Sequence, residues 1–315
     1  DHLCMSQFHC IFILLIAITY SSNAQNALPK VVSGKIERIE NFTSKYVPQR
    51  NIDIWLPDGY SDTNKYATLY MQDGQMLLDP EQTWNKQSWN IDDVISVLIK
   101  RSEIKSCIII AIWNSGETRR PEYFPQKPFE RMRASEKDSV IIQLRKAGKI
   151  KDSFQPCSDN YLNFIVEELK PYVDNHYSTN KKKEATFISG SSMGGLISIY
   201  AICEYPKIFG GAACMSTHWS GTYTLENNPV PSAFLAYLNR KIPNPKNHRI
   251  YFDCGDQNLD ALYPEIQHQV DRLMQSKGYK ASNWQTNYIA GGDHSEYSWN
   301  ARLHLPLKFL LENKP

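Results

Sequence analysis

Apolar residues recur along this chain with two alternating periods. Around Ser33–Pro57 the runs "GKIERIENF" and "RNIDIWLP" alternate polar and apolar positions, with Tyr46–Pro48 between them, and predict an antiparallel pair opening the fold. Beyond it the period keeps switching. "YATLYMQD" (Tyr66–Asp73) predicts a strand, and Trp89–Lys100 a helix with Ile91, Val94, Ile95 and Leu98 on one face. "CIIIAIW" (Cys107–Trp113) is apolar throughout, as a strand covered on both faces must be. Tyr161–His176 reads as an amphipathic helix capped by "SDN" and kinked by Pro171.

The alternation continues to the end of the chain. Strands are expected at Ala185–Ser189, Gly211–Met215, Arg249–Asp253 and Trp284–Ile289. Helices are expected at Met193–Glu204, Pro231–Leu238, Tyr263–Ser276 and Tyr297–Leu311. Such repetition predicts an α/β fold: one mostly parallel sheet with helices on both faces. No internal repeat or linker splits it, so residues 25–315 read as one domain. One stretch breaks the rhythm. Residues 114–157 are rich in Pro, Arg and Lys and intervene between a strand and its helix. Ligands of open α/β sheets bind beyond the C-terminal strand ends, so this insertion is expected to overhang the site. Its Arg119, Arg120, Arg131 and Arg133 would favour an acidic or phenolic substrate.

The first residues stand apart. "CIFILLIAI" (Cys10–Ile18) is too short for a bilayer span of about 20 residues but suits the apolar core of an export signal, although no Lys or Arg precedes it. Ser22 and Ala24 supply small residues for cleavage after Ala24. Residues 1–24 are therefore expected to be a signal peptide and the rest secreted or periplasmic, with no membrane anchor left. Of seven cysteines, two fall in that leader. Cys107, Cys157, Cys203, Cys214 and Cys254 remain, with no metal-type or CxxC spacing, so at most one disulfide is expected and no metal site. A net charge of +2 over 315 residues creates no field that would select nucleic acid.

Chemistry concentrates in three places. Gly190-Ser191-Ser192-Met193-Gly194 fits G-x-S-x-G where a buried strand turns into a helix. That turn must be sharp and must bring strand and helix into contact, which calls for small residues two positions either side of an exposed serine. Ser192 is the expected nucleophile. A serine hydroxyl needs a base, and in this topology the base comes last: His294 lies in "GGDHSEYSW", after the final strand, whereas His248, His268 and His304 sit before a strand or within helices. The acid belongs beyond the strand in "RIYFDCGDQNLDALY", where Asp256 and Asp260 both qualify and Asp253 lies too far back. The expected oxyanion donors are the backbone N–H groups of Met193 and of Gln75, in the turn after Tyr66–Asp73. His218 and Trp219, following another strand end, are expected to line the pocket, and Trp299 is a further candidate.

"YMQDGQMLLD", "ISGSSMGG", "FDCGDQNLDALY" and "GGDHSEYSW", in this order, resemble the Putative esterase family of α/β-hydrolases. That family includes the D-type, feruloyl, acetylxylan and enterochelin esterases and the mycolyltransferases. The likeness runs from about Val31 to the end. It implies an α/β-hydrolase fold and a serine esterase needing no cofactor, acting on a small-molecule or carbohydrate-linked ester. It also implies roles for Ser192, His294, Gln75 and Met193 and favours Asp260 over Asp256, although two extra residues precede it here. Feruloyl or acetyl esters of polysaccharide, a siderophore trilactone, and acyl transfer to a sugar hydroxyl all suit these residues.

Overall fold

The computed structural model describes residues 27–312; the expected export signal lies outside them. Eight strands form one sheet: β1 (Lys35–Phe42), β2 (Arg50–Leu56), β3 (Ala67–Met71), β4 (Cys107–Ile112), β5 (Thr186–Ser191), β6 (Gly211–Met215), β7 (Arg249–Cys254) and β8 (Trp284–Tyr288). Their order is β1-β2-β4-β3-β5-β6-β7-β8. β2 runs antiparallel to β1 and β4, and every pairing from β4 to β8 is parallel. The predicted antiparallel opening and parallel body are both present.

Side chains alternate across the sheet, so each apolar strand feeds two cores. Ile108, Ile110 and Ile112 of β4 join one core with Ile188, Cys214 and Phe252. Cys107, Ile109 and Ala111 join the other with Phe187, Met215 and Tyr251. The second core is closed by α1 (Ile91–Lys100) and by residues near the chain end. The first is closed by the insertion and the remaining helices. β8, at the sheet edge, has no fully buried residue and is correspondingly polar.

The insertion carries three helices, α2 (Arg119–Tyr123), α3 (Gln126–Glu130) and α4 (Ala134–Lys146). Phe124, Phe129 and Phe154 pack edge-to-face there, with centroids 5.2–5.7 Å apart, and Phe124 also meets Phe234 at 5.5 Å, outside the insertion, which ties the stretch to the core.

Two helices depart from expectation. The segment read as Tyr161–His176 begins earlier, as α5 (Ser158–Asn163), widens into a π-helical turn over Phe164–Leu169 and resumes as α6 (Lys170–His176). Ser158 does not act as a cap because its hydroxyl accepts from Gln126 N–H of the insertion (2.8 Å). The wide turn lies just ahead of Pro171, which has no N–H to donate and whose ring crowds the preceding turn. α7 (Met193–Glu204), α8 (Val230–Lys241) and α9 (Pro264–Ser276) follow. The predicted closing helix is two, α10 (Glu296–Arg302) and α11 (His304–Leu311). Pro306 cannot donate to the carbonyl of Arg302, so the helix breaks at Leu303.

Candidate active site

The parallel strands deliver their C-terminal ends to one edge, and four loops meet chemistry there. Ser192 follows β5 and caps α7 with φ 57° and ψ −122°. A non-glycine residue held there carries roughly 1–3 kcal/mol of strain. Three backbone hydrogen bonds hold it, from Ser192 N–H to Met215 C=O (2.9 Å) and to Ser192 C=O from Leu196 N–H (3.0 Å) and His218 N–H (3.2 Å). The flanking glycines are sterically required. A Cβ on Gly190 would lie 2.7 Å from the carbonyl carbon of Gly194, and one on Gly194 would lie 3.0 Å from Cβ of Gln72. Strand, helix and the turn after β3 thus converge on this serine.

His294 stands after β8. Its Nδ1 lies 2.6 Å from Oδ1 of Asp260, which follows β7 and is fully buried. The other carboxylate oxygen accepts from Ser216 Oγ–H (2.5 Å) and Gly255 N–H (2.7 Å). Burial alone would raise the Asp260 pKa. The hydrogen bond and charge of His294, with the Ser216 and Gly255 donors, outweigh it and hold the carboxyl below its ordinary value. Between the two acids the sequence left open, the structure pairs His294 with Asp260. The Asp256 carboxylate instead accepts from Gly291 N–H and Gln257 Nε2. Trp299 packs edge-on under the His294 ring at 5.0 Å, and Tyr263 flanks it at 5.9 Å. Neither Ser192 Oγ nor His294 Nε2 has a hydrogen-bond partner among the described residues.

A second layer escaped the sequence reading. Ser216 Oγ also accepts from Trp299 Nε1 (3.0 Å) and Arg302 Nη2 (2.7 Å), and Arg302 reaches the buried Asp253 at 3.2 Å. Ser216 therefore joins Asp260 to a buried ion pair between Arg302 of α10 and Asp253 of β7. The signal available in the sequence was an aspartate ending an apolar strand and an arginine within an apolar helical pattern, since buried charges require partners. Asp253 is consumed by this network, with Ser216 N–H and Tyr251 O–H as further donors.

The turn after β3 packs against the serine. Gly74 lies so close to β4 that a Cβ would meet Ala111 carbonyl carbon at 2.5 Å. Asp73 is left-handed (φ 56°), and its carboxylate is gripped by Arg119 at 2.7 Å through both Nε and Nη2 and by Asn114 Nδ2 at 2.7 Å. Gln75 Oε1 accepts from Asn114 N–H (3.1 Å). Among the described residues the backbone N–H groups of Gln75 and Met193 have no hydrogen-bond acceptor, so both remain available to a ligand.

His218 and Trp219 are both buried. Trp219 Nε1 donates to Gln267 of α9 (2.8 Å) and the ring packs on Phe252, so Trp219 belongs to the core. No group of three or more His, Cys, Asp or Glu among the described residues could hold a metal ion, and the described cysteines are all free. A groove of about 630 Å³ opens elsewhere, between Lys65, Lys105, Lys182, Lys246 and Arg249.

Residues 45–310 match the sequence model of the family described as "Putative esterase". The chain belongs to that esterase family. Its mostly parallel eight-stranded sheet with surrounding helices is an α/β-hydrolase fold, and as a family member it is a carboxylic-ester hydrolase. Among curated relatives, the uncharacterized protein YbbA of Bacillus subtilis (strain 168) is 24% identical over 240 residues, covering 73% of this esterase and 80% of YbbA. The uncharacterized protein YjcH of the same organism is 22% identical, covering 59% and 63% of the two chains. Among solved structures, the ferulic acid esterase AmCE1/Fae1A of Anaeromyces mucronatus superposes with a TM-score of 0.60 at 17% identity, covering 92% of this chain and 94% of that one. The enterobactin esterase FES of Shigella flexneri gives 0.64 at 16%, covering 91% and 62%. At those identities the structural likeness speaks for the fold.

Proposed function

We propose that this esterase works through a covalent acyl-enzyme on Ser192, with His294 as base and Asp260 as the acid that orients it. Ser192 Oγ attacks the ester carbonyl carbon and His294 Nε2 takes its proton. The tetrahedral oxyanion is held by the N–H groups of Met193 and Gln75. Collapse expels the alcohol, which receives the proton from His294, and water then repeats the sequence to free the acid. The observation that carries this reading is the Asp260–His294 hydrogen bond of 2.6 Å beside a serine held at positive φ. Asp260, kept ionised in a buried site, favours the proton on Nδ1 and leaves Nε2 as the acceptor.

The structural neighbours named for ferulic acid and enterobactin suggest esters that carry a hydroxylated aromatic group as substrates. The expected leader makes the site of action outside the cytoplasm part of the same proposal. The test is hydrolysis of 4-nitrophenyl acetate and methyl ferulate. The chain should turn over at least one of them, and Ser192→Ala should lower kcat/KM by about 10⁴-fold or more. Equal rates for the two proteins would overturn the mechanism.

A further inference from the structure

Arg119 and Arg120 open α2 side by side, yet only one is neutralised. Arg119 is clamped on Asp73. Arg120 makes no ion pair with any carboxylate among the described residues. Its Nη2 donates to Tyr223 O–H (2.8 Å), while Nη1 is buried with no hydrogen-bond partner. Burial, unrelieved by an acid, lowers its pKa from the ordinary arginine value.

A second buried polar atom close by is also unpartnered. His218 Nδ1 meets Tyr263 O–H at 2.7 Å, but Nε2 has nothing. Burial first, and then the charge of Arg120, holds this imidazole neutral. Arg120 and His218 flank the same ring: the guanidinium lies 5.6 Å and the imidazole 5.4 Å from the centroid of Tyr223. Lys149 Nζ lies 5.0 Å from that centroid. The group adjoins the nucleophile, because His218 N–H donates to Ser192 C=O and Tyr263 lies between His218 and His294.

Buried polar groups in a folded chain are normally satisfied, and a half-buried cation with one N–H group sealed off and no counter-charge is costly. One ligand feature would relieve both. With Tyr263 donating to Nδ1, His218 Nε2 carries a hydrogen and becomes a donor beside the Arg120 N–H groups. A carboxylate has two oxygens to match two such donors.

We propose that Arg120 and His218 form an anion subsite next to Ser192, and that this esterase takes esters bearing a free carboxylate. The assignment rests on the esterase reading above for its place in the reaction, but its binding is measurable without turnover. The full chain carrying Ser192→Ala is titrated by calorimetry with monomethyl dicarboxylates from glutarate to suberate. Each is compared with the methyl ester of the monocarboxylic acid of the same length.

At least one carboxylate ester should bind about tenfold or more tighter than its neutral partner. Adding Arg120→Met should bring that ratio close to one, and Arg120→Lys should keep part of it. A ratio near one at every length overturns the proposal, as does a preference that survives in a folded Arg120→Met protein. If Arg120→Met does not fold, the ratio measured with Ser192→Ala alone decides. Turnover of the same esters by the unmodified chain is read separately. A strong binding ratio with no turnover would sink the esterase mechanism and leave the subsite standing; turnover without a ratio would do the reverse.

Discussion

Replacing Asp260 by Asn keeps the shape of the side chain and changes only what it accepts. The carboxylate takes three hydrogen bonds: His294 Nδ1 on one oxygen, Ser216 Oγ and Gly255 N on the other. An amide has one oxygen. Turned toward Ser216 and Gly255, that oxygen satisfies two donors and presents its NH₂ to His294, which must then accept at Nδ1 and carry its proton on Nε2. Turned the other way, the NH₂ faces the Gly255 N–H and leaves a buried donor unpaired, at about 1–3 kcal/mol. The first arrangement is therefore favoured, and it holds the base in the tautomer that cannot take a proton from Ser192. A wrong tautomer in a serine triad of another protein costs about 10⁴ in kcat, equivalent to about 5.4 kcal/mol of barrier. We expect a loss of about 10³–10⁴ in kcat for 4-nitrophenyl acetate, with KM within a few-fold. Asp256→Asn, whose carboxylate points to Gly291 and Gln257, should stay within about threefold of wild type. A loss below tenfold for Asp260→Asn, or equal losses for both variants, would refute the assignment of the orienting acid.

Gly190→Ala places a methyl 2.7 Å from backbone of Gly194, which cannot retreat without parting α7 from β5; urea denaturation should show a loss of about 1–3 kcal/mol or more. Arg119→Met frees the largely buried Asp73 carboxylate beside the proposed oxyanion turn, so kcat should fall about 10-fold or more and the urea midpoint should fall with it. Asp260 has a depressed folded pKa, so its contribution to stability is fully present above the unfolded carboxylate value and is lost as pH falls through the lower folded value. The unfolding free energy of wild type, measured in urea from pH 5 to pH 2, should therefore decline more steeply than that of Asp260→Asn, and parallel curves would remove Asp260 from that linkage. The five described cysteines are free, so dithiothreitol should leave the thermal midpoint unchanged; a shift of several degrees would indicate a disulfide.

Local chemistry made much of this molecule legible in advance. The apolar runs at Cys107–Ile112 and Gly211–Met215 are strands because each must feed two cores, a demand visible in composition alone. The elbow was legible because Gly190 and Gly194 leave no room for a side chain. The choice between Asp256 and Asp260 was not, because both lie beyond β7 and only the β8 loop decides which carboxylate His294 meets. The inward packing of Trp219 was not legible for a related reason. A tryptophan after a strand end can face solvent or core, and here the hydrogen bond to Gln267, 48 positions away, holds it inward. The Ser216–Arg302–Asp253 network joins three distant segments through single side chains, and no periodicity announces such a contact.

The central claim is that Ser192 becomes covalently acylated. The most direct measurement is mass spectrometry of the chain after exposure to a 4-nitrophenyl phosphonate, whose phosphorus a serine Oγ attacks with loss of 4-nitrophenolate. One adduct is predicted, on the peptide containing Ser192, and none on Ser192→Ala. An unmodified wild-type chain, or an adduct that persists on Ser192→Ala, would contradict the account.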